Sequence, residues 1–271
     1  DNWRDPTDYQ RVLMAHRIVQ AGILISLLWK WEFFIYANNV YHSIKVVDVF
    51  FPAALRSAFV LKVTFLGTVG AGSLSLLATS FSIRRAGNLI SLAGLCVLCT
   101  HQGSYNDVTF FTTWWCTVWT WWLGNRIDHD EPAELLTKAA FLARAIISMI
   151  MLGGAVGKWT EEYWSGQVLF DIYFADRDYW IFNYLRDQYT SEQLQMIAKW
   201  YSRNVVVVES LAGLFYWLLP NRLAATVGAI LLLSIALSSN LLLFSVLGCL
   251  ISLAMVGFLP RKLPSTSQTD S

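Results

Sequence analysis

Long apolar segments alternate with polar ones along this chain. An α-helix needs about 20 mainly apolar residues to cross the hydrocarbon core of a bilayer. Segments of this kind are predicted at about Ile18–Tyr36, Ala58–Ser82, Ala86–Thr100, Val108–Leu123, Ala139–Gly157 and Val205–Leu219. The last uncharged stretch, Leu223–Leu259, is too long for one crossing, and we divide it at its polar cluster, Ser238–Asn240. The pattern predicts an all-α fold, a polytopic transmembrane helical bundle of about eight spans.

The interval from Lys158 to Asn204 is the one long polar segment between predicted spans. Within it, Thr190-Ser-Glu-Gln193 is typical of a capping box, in which the threonine and glutamine side chains bond to each other's backbone N–H groups. It predicts an amphipathic helix in this loop, running to Tyr201. Pro132 predicts the start of the helix that carries the fifth span, because proline at the first helical position lacks a donor that would have no partner there. Asp130 or Glu131 would cap that helix.

The arginines and lysines of the short loops are unevenly distributed between the two sides of an eight-span bundle. One side carries Arg4, Arg11, Arg17, Arg84, Arg85, Arg126, Lys138, Arg222, Arg261 and Lys262, whereas the short loops opposite carry Lys45 and Arg56. Because cytoplasmic loops are enriched in such residues, we expect both termini in the cytoplasm and the long polar interval outside it. We expect one transmembrane domain, residues 1–259, and a polar disordered tail, residues 260–271. The membrane would be a bacterial inner membrane or the endoplasmic reticulum.

Composition agrees with this assignment. Of the 271 residues, 55% are hydrophobic and 14% are charged, whereas soluble domains are about 25% charged. A soluble enzyme is therefore largely excluded, and a lipid bilayer is the expected environment. Twenty lysines and arginines against nineteen acidic residues give a net charge of +1, so nucleic acid is not an expected partner.

Two charged residues lie deep within predicted spans, where a charge is costly and is by default a functional candidate. Arg144 belongs to the fifth span and Glu209 to the sixth. They are interpreted either as a mutual ion pair or as part of a ligand site. The sequence alone leaves both interpretations open.

Lys158 ends the fifth span, directly after the glycine-rich segment Gly153–Gly157. A lysine at a helix C-terminus offsets the negative end of the helix dipole, which is the structural interpretation. The functional interpretation is that Trp159, Tyr163 and Trp164 partly desolvate it. Desolvation favours the neutral amine, the form that acts as a general base.

The fourth predicted span is rich in tryptophan, with five such residues between positions 114 and 122. Packing combined with an interfacial aromatic belt is one interpretation. The other is an aromatic wall for a flat ring such as a quinone. In that case Trp115, Trp119 and Trp122 are candidate ligand-binding residues, together with Trp159 and Trp164 beside Lys158.

Two further patterns suggest chemistry less strongly. Cys96 and Cys99 form a C-x-x-C pair, and a redox role would require an exposed thiolate. Because both cysteines lie in the middle of a predicted span, the favoured interpretation is that they are small packing residues. The segment Asp128–Glu131 has metal-binding residue types, but a solvated loop before a helix explains it equally well. No metal site is predicted.

Four short motifs resemble, in their order and spacing, one known family. They are Gly153-Gly-Ala-Val-Gly157-Lys158-Trp-Thr-Glu-Glu-Tyr-Trp164-Ser-Gly166, Arg144 fourteen residues before Lys158, Glu209-Ser-Leu-Ala-Gly213, and Asn240-Leu-Leu-Leu-Phe244-Ser245. Over about residues 100–258 they resemble the membrane part of the vitamin K-dependent γ-carboxylases, also known as the horizontally transferred transmembrane (HTTM) domain.

The resemblance implies a role for several residues. In the carboxylases, the lysine at the position of Lys158 deprotonates vitamin K hydroquinone, which implies a quinone or hydroquinone as ligand here and Lys158 as catalytic base. Arg144, Glu209 and Asn240 would contribute to binding. His101 is a second catalytic candidate, because it lies two residues from the position of a family histidine.

The chain also departs from the family pattern. A second family histidine falls on Leu237, and one extra residue separates Lys158 from Trp164. The resemblance does not extend to the lumenal domain that holds a propeptide-bearing substrate, so γ-glutamyl carboxylation by this chain alone is not expected.

Three hypotheses follow from the sequence. The first is a membrane protein that binds a quinol and has an oxidoreductase-like activity. The second is a non-catalytic accessory or assembly subunit of a larger membrane complex, with other membrane subunits as partners. The third is a thiol-redox protein acting through Cys96 and Cys99.

Overall fold

The computed structural model describes residues 6–32, 53–55, 57–100 and 108–261, and these ranges are helical with no strand. We number the longer helices in chain order. They are α1 (Pro6–Leu28), α2 (Ala58–Leu77), α3 (Phe81–Cys99), α4 (Thr109–Arg126), α5 (Pro132–Gly157), α6 (Trp180–Gln188), α7 (Ser191–Phe215), α8 (Asn221–Ser238) and α9 (Phe244–Val256). Short helical segments lie at Ala53–Leu55, Glu161–Trp164, Gln167–Leu169, Phe170–Phe174 and Tyr216–Leu218.

Five of the described helices, α1, α2, α3, α5 and α8, are long and apolar enough to cross a membrane. The helix α9 is apolar but has 13 residues. The threonine- and tryptophan-rich α4 and the partly polar α7 do not belong to this set. The all-helical fold is confirmed, and its apolar helices fit a multi-pass protein in a lipid bilayer. The number of eight spans stays a prediction.

The first helix begins earlier than the apolar pattern predicts, at Pro6 and not near Ile18. Its polar first turns still present a buried apolar stripe, because Val12, Ala15 and Val19 recur at helical spacing and are fully buried. The stripe lets charged and apolar residues share one continuous helix. The part of α1 that is long and apolar enough to cross a membrane is Thr7–Leu28, and the predicted end of this span, Tyr36, lies outside the described residues.

The capping box at Thr190 is present. The Thr190 hydroxyl accepts from the backbone N–H of Gln193, and the Gln193 side chain accepts from the backbone N–H of Thr190. The helix does not end at Tyr201, however, but continues as α7 to Phe215. One buried stripe joins both halves, formed by Leu194, Ala198, Ser202, Val206, Glu209 and Gly213. The expected loop helix and the sixth span are thus one helix.

Other predicted boundaries agree with the structure. Pro132 lies at the start of α5 after Glu131 at the N-cap position, although that side chain makes no capping bond. The long uncharged stretch is interrupted where the sequence suggests, because α8 ends at Ser238 and α9 begins at Phe244. Asn240 and Leu241 lie between them with φ of 50° and 58°, a left-handed conformation that is uncommon for asparagine and costly for leucine.

Helix packing defines two buried clusters. In the larger one, α1 packs against α9, α2 against α3, α3 against α4 and α5 against α7. The smaller one is formed by Leu169, Tyr173, Phe174 and Phe182 of the interval between α5 and α7, together with Leu194 and Ala198 of α7. The interval is thus a folded unit with its own core, which contacts the part of α7 that precedes Glu209.

Candidate functional site

Lys158 and Glu209 form an ion pair where α5 ends beside α7. The Lys158 ammonium donates to Glu209 Oε2 at 2.5 Å, and their side chains are 26% and 11% exposed. Glu209 therefore pairs with Lys158 and not with Arg144. Desolvation of such a pair is costly, and close hydrogen-bonded geometry is what offsets the cost.

One glycine allows α5 and α7 to approach closely beside this pair. A Cβ added at Gly154 would lie 3.4 Å from Glu209 Oε2 and 3.7 Å from Lys158 Nζ, which are ordinary contact distances. A Cβ at Gly213 would lie 2.7 Å from backbone atoms of Leu152. The Ser148 hydroxyl also donates to the Gly213 carbonyl at 2.5 Å. Small residues at helix contacts are a usual device in membranes, because they let backbones come together.

The ion pair faces a cavity of about 490 Å³. This volume is within the range of about 300–1,000 Å³ that small-molecule sites occupy. Its walls come mainly from α4, α5, α9 and the interval after α5, and apolar side chains such as Phe111, Met151, Ile172, Leu243, Leu247 and Leu250 dominate them. Polar atoms are contributed by Lys158, Glu209, Thr112, Tyr163 and Tyr173. An apolar molecule with one polar end fits this distribution.

Tyr163 adds a hydrogen-bond donor beside the ion pair. Burial and the negative charge of Glu209 raise the pKa of its hydroxyl above the usual range, so it stays protonated. Lys158 Nζ lies 5.8 Å from the centroid of its ring, within reach of a cation–π contact. The Ser202 hydroxyl donates to the Tyr163 carbonyl and connects this residue to α7. The site thus offers a cation, a carboxylate and a neutral hydroxyl.

Trp159 and Trp164 stack on each other rather than on Lys158. Their ring centroids are 5.3 Å apart at 18°, and Trp159 is 61% exposed. The Arg203 guanidinium lies 5.4 Å from the Trp164 ring. Neither tryptophan is among the residues that line the cavity. Trp159, Tyr163 and Trp164 were expected to desolvate Lys158. Among them, the Tyr163 ring is the one that the Lys158 ammonium faces.

The α4 tryptophans lie away from the cavity as well. Trp119 is buried in the core and its indole N–H donates to the Ala139 carbonyl at 3.0 Å. Trp122 packs partly buried against the same core, and Trp115 lies edge-on to Trp114 with ring centroids 5.0 Å apart. The α4 aromatic that lines the cavity is Phe111. A ligand role for Trp115, Trp119 and Trp122 stays a prediction.

The remaining predicted site residues have different positions. Arg144 lies over the Phe141 ring at 5.5 Å, and its Nε has no hydrogen-bond partner among the described residues. Asn240 precedes Leu242 and Leu243, which line the cavity. His101 lies outside the described residues, as do the tail residues from 262 onward. Binding roles for Arg144 and Asn240 stay predictions.

The other chemical patterns take part in structural contacts. Cys96 Sγ accepts from the Trp114 indole N–H at 3.2 Å. Asp128 pairs with Arg85, and Asp130 pairs with Arg126 at 3.7 Å. Within the parts of the chain that the structure describes, no group of three or more histidine, cysteine or acidic residues is placed to hold a metal ion.

A buried polar cluster between α1, α2, α3 and α4 was not anticipated. Asn88 accepts from the Ser75 hydroxyl at 2.6 Å, and its amide nitrogen lies 2.9 Å from His16 Nε2 and 3.4 Å from the Thr120 carbonyl. Because an amide nitrogen only donates, His16 Nε2 is the acceptor in this contact. The signal in the sequence is a set of isolated polar residues on apolar helices, with His16 and Gln20 one turn apart.

No protein-family model, curated protein or solved structure matches this chain.

Proposed function

We propose that this membrane protein binds a lipid-soluble molecule with a polar ring, a quinone or hydroquinone, at the Lys158–Glu209 pair. The observation that carries the proposal is an ion pair that faces a largely apolar cavity of about 490 Å³. Ionisable residues inside membrane proteins are costly and mark ligand or ion sites by default. The sequence resemblance to the membrane part of vitamin K-dependent γ-carboxylases points to the same lysine.

The residues of the site fit the polar edge of such a ring. The Lys158 ammonium and the Tyr163 hydroxyl can each donate to a ring oxygen, and Glu209 can accept from a ring hydroxyl. The apolar walls exclude water and accommodate the ring and the start of a hydrocarbon tail. In its neutral form, Lys158 would take a proton from a bound hydroquinone and act as a general base.

The test uses the purified chain in detergent or in liposomes and vitamin K hydroquinone as the probe. We expect binding by calorimetry, and a Lys158→Ala change is expected to weaken it at least about tenfold, because it removes a charged donor from a desolvated site. The matched control is Lys138→Ala, since Lys138 is on the same helix, exposed and paired with Glu134 at 2.8 Å. If neither variant differs from the unaltered chain, or if the probe does not bind, the proposal fails.

A second candidate function is that of an accessory subunit in a membrane complex. The observation in its favour is an exposed aromatic surface between α5 and the middle of α7. Trp159, Trp180, Tyr184 and Trp200 are each at least 60% exposed there. Stoichiometric partners that co-purify in mild detergent, and that are lost on a Trp180→Ala and Trp200→Ala double change, would support it. A monodisperse monomer would contradict it.

A further inference from the structure

A second cavity, of about 270 Å³, lies between α7 and α8. Glu209 and Ile235 line both this cavity and the larger one that contains Lys158. Glu209 therefore borders both cavities. One of its carboxylate oxygens, Oε2, accepts from Lys158.

The smaller cavity has a polar end. Tyr201, Asn204, Ser234 and Ser238 contribute polar side chains to its lining. The Tyr201 hydroxyl donates to the Ser238 hydroxyl at 3.1 Å, which bridges α7 and α8. Tyr201 is eight residues before Glu209, about 12 Å along a helix axis. Asn204 lies between them and is exposed, so hydrophilic groups extend from the surface of the protein towards the carboxylate.

The ionisable groups around Glu209 come from three elements. Lys158 at the end of α5 is its ion-pair partner. Tyr163 follows α5, and its burial and the negative charge of Glu209 raise the pKa of its hydroxyl, so it keeps its proton. Tyr201 on α7 lines the smaller cavity with it. Among these groups, Glu209 is the one that both pairs with Lys158 and lines the smaller cavity.

We propose that Glu209 is the proton-exchange group of the Lys158 site, and that the smaller cavity is its route to water. This inference rests on the proposed function, because it describes how the base of that site is regenerated. Both cavities have largely apolar walls, but polar residues make up a larger share of the residues that line the smaller one. Proton relays built from carboxylates inside membrane bundles are a known use of such residues.

The proton steps balance without transfer of electrons. The Lys158 ammonium first gives a proton to Glu209 Oε2, so that the ion pair becomes a neutral amine and a carboxylic acid. The acid then releases its proton to water in the smaller cavity. The Lys158 amine accepts a proton from a hydroquinone hydroxyl, which restores the ion pair beside a hydroquinone anion. One proton leaves the site for each hydroquinone that is ionised.

The first experiment measures proton release in liposomes with vitamin K hydroquinone and a membrane-impermeant pH dye. Glu209→Gln retains the shape of the side chain but cannot carry a proton. With each chain saturated with the probe, we expect this variant to release protons at least about tenfold more slowly, since proton transfer by a positioned group contributes about 100-fold or more. Unchanged release at saturation would overturn the inference and leave the proposed function standing. Failure of the unaltered chain to bind the probe would instead overturn the proposed function.

The second experiment needs no ligand and tests whether water reaches the smaller cavity. Ser234→Cys is made in a chain whose four native cysteines are replaced by serine, and it is treated with a membrane-impermeant cationic thiol reagent. We expect reaction at least about tenfold faster than for Ile230→Cys, because a thiolate forms readily only where water is present. Ile230 is the matched control, since it is one turn earlier on α8, is 65% exposed and borders the same apolar groove as Ser234 but does not line the smaller cavity. Equal rates, or no reaction at Ser234→Cys, would overturn the inference whatever the ligand is.

Discussion

Two regions of this protein bury polar side chains within a bundle of apolar helices, and they do so differently. Asn88 uses its amide group to contact the polar atoms of Ser75, His16 and Thr120. Lys158 and Glu209 pair with each other and also line a cavity. An amide whose hydrogen bonds are made by neighbouring helices holds those helices together, whereas an ion pair that borders a cavity has bonding capacity left for a ligand.

The first prediction concerns the ion pair. Lys158→Ala leaves Glu209 buried without its partner, which costs about 3–5 kcal/mol for a fully buried pair. We expect the lower end of that range, because the Lys158 side chain is 26% exposed. Thermal unfolding in detergent measures the loss, and Lys158→Ala combined with Glu209→Leu should recover most of it. A single variant as stable as the unaltered chain would show that the pair contributes no stability.

The second prediction concerns Asn88 and separates the two regions. Asn88→Ala leaves His16 Nε2 and the Ser75 hydroxyl without their partner, so we expect a loss of about 2–3 kcal/mol in unfolding free energy. Binding of vitamin K hydroquinone should be unchanged, because Asn88 does not line the cavity. A variant that weakens binding as strongly as Lys158→Ala would contradict the distinction between the regions.

The third prediction concerns the contact between α5 and α7 that positions the ion pair. Gly213→Ala places a Cβ 2.7 Å from the Leu152 backbone, and we expect a cost of about 1–3 kcal/mol from overpacking. Gly153→Ala is the matched control, since no atom lies within 4 Å of its added Cβ. The control should stabilise α5 by about 0.5–1 kcal/mol, because alanine is the better helix former. Chemical unfolding monitored by circular dichroism compares the two, and equal effects would contradict the packing argument.

The fourth prediction has the smallest effect. The Gln20 side chain is fully buried and neither of its amide atoms has a hydrogen-bond partner among the described residues. Gln20→Met replaces it with an apolar side chain of similar length, so we expect a gain of about 1 kcal/mol from the removal of an unsatisfied polar group. Thermal unfolding measures the shift. Destabilisation would show instead that the amide has a polar partner in the membrane.

Much of the helical arrangement follows from the sequence. The capping box at Thr190, the proline at position 132 and the polar break at Ser238–Asn240 all lie where helices of the structure begin or end. These signals are local, because a cap, a missing N–H or a polar turn acts within a few residues. The sequence did not predict that α7 continues past Tyr201. The composition changes there from polar to apolar, but one buried stripe runs through both halves and keeps them in a single helix.

The candidate site was predicted only in part. Lys158, Glu209 and Tyr163 were each identified as residues of interest, but the partner of Glu209 was not, and the tryptophans expected to form a wall lie elsewhere. Phe111, Thr112 and Tyr173 line the cavity without any signal that distinguishes them from other aromatic or polar residues of their helices. Which face of a helix borders a cavity depends on how neighbouring helices pack, and no pattern within one helix records it.

The sequence by itself determined that this chain is an all-helical protein with apolar helices suited to a bilayer, and that a few charges lie where lipid should exclude them. Hydrophobicity and helix capping are properties of neighbouring residues, so they can be read along the chain. Only the tertiary structure decided that Lys158 pairs with a carboxylate 51 positions away, that Gly213 leaves room for α5 to approach α7, and that Glu209 lines two cavities. Pairing and cavities arise from the approach of separate helices, because a charge is stabilised by whatever the fold places opposite it.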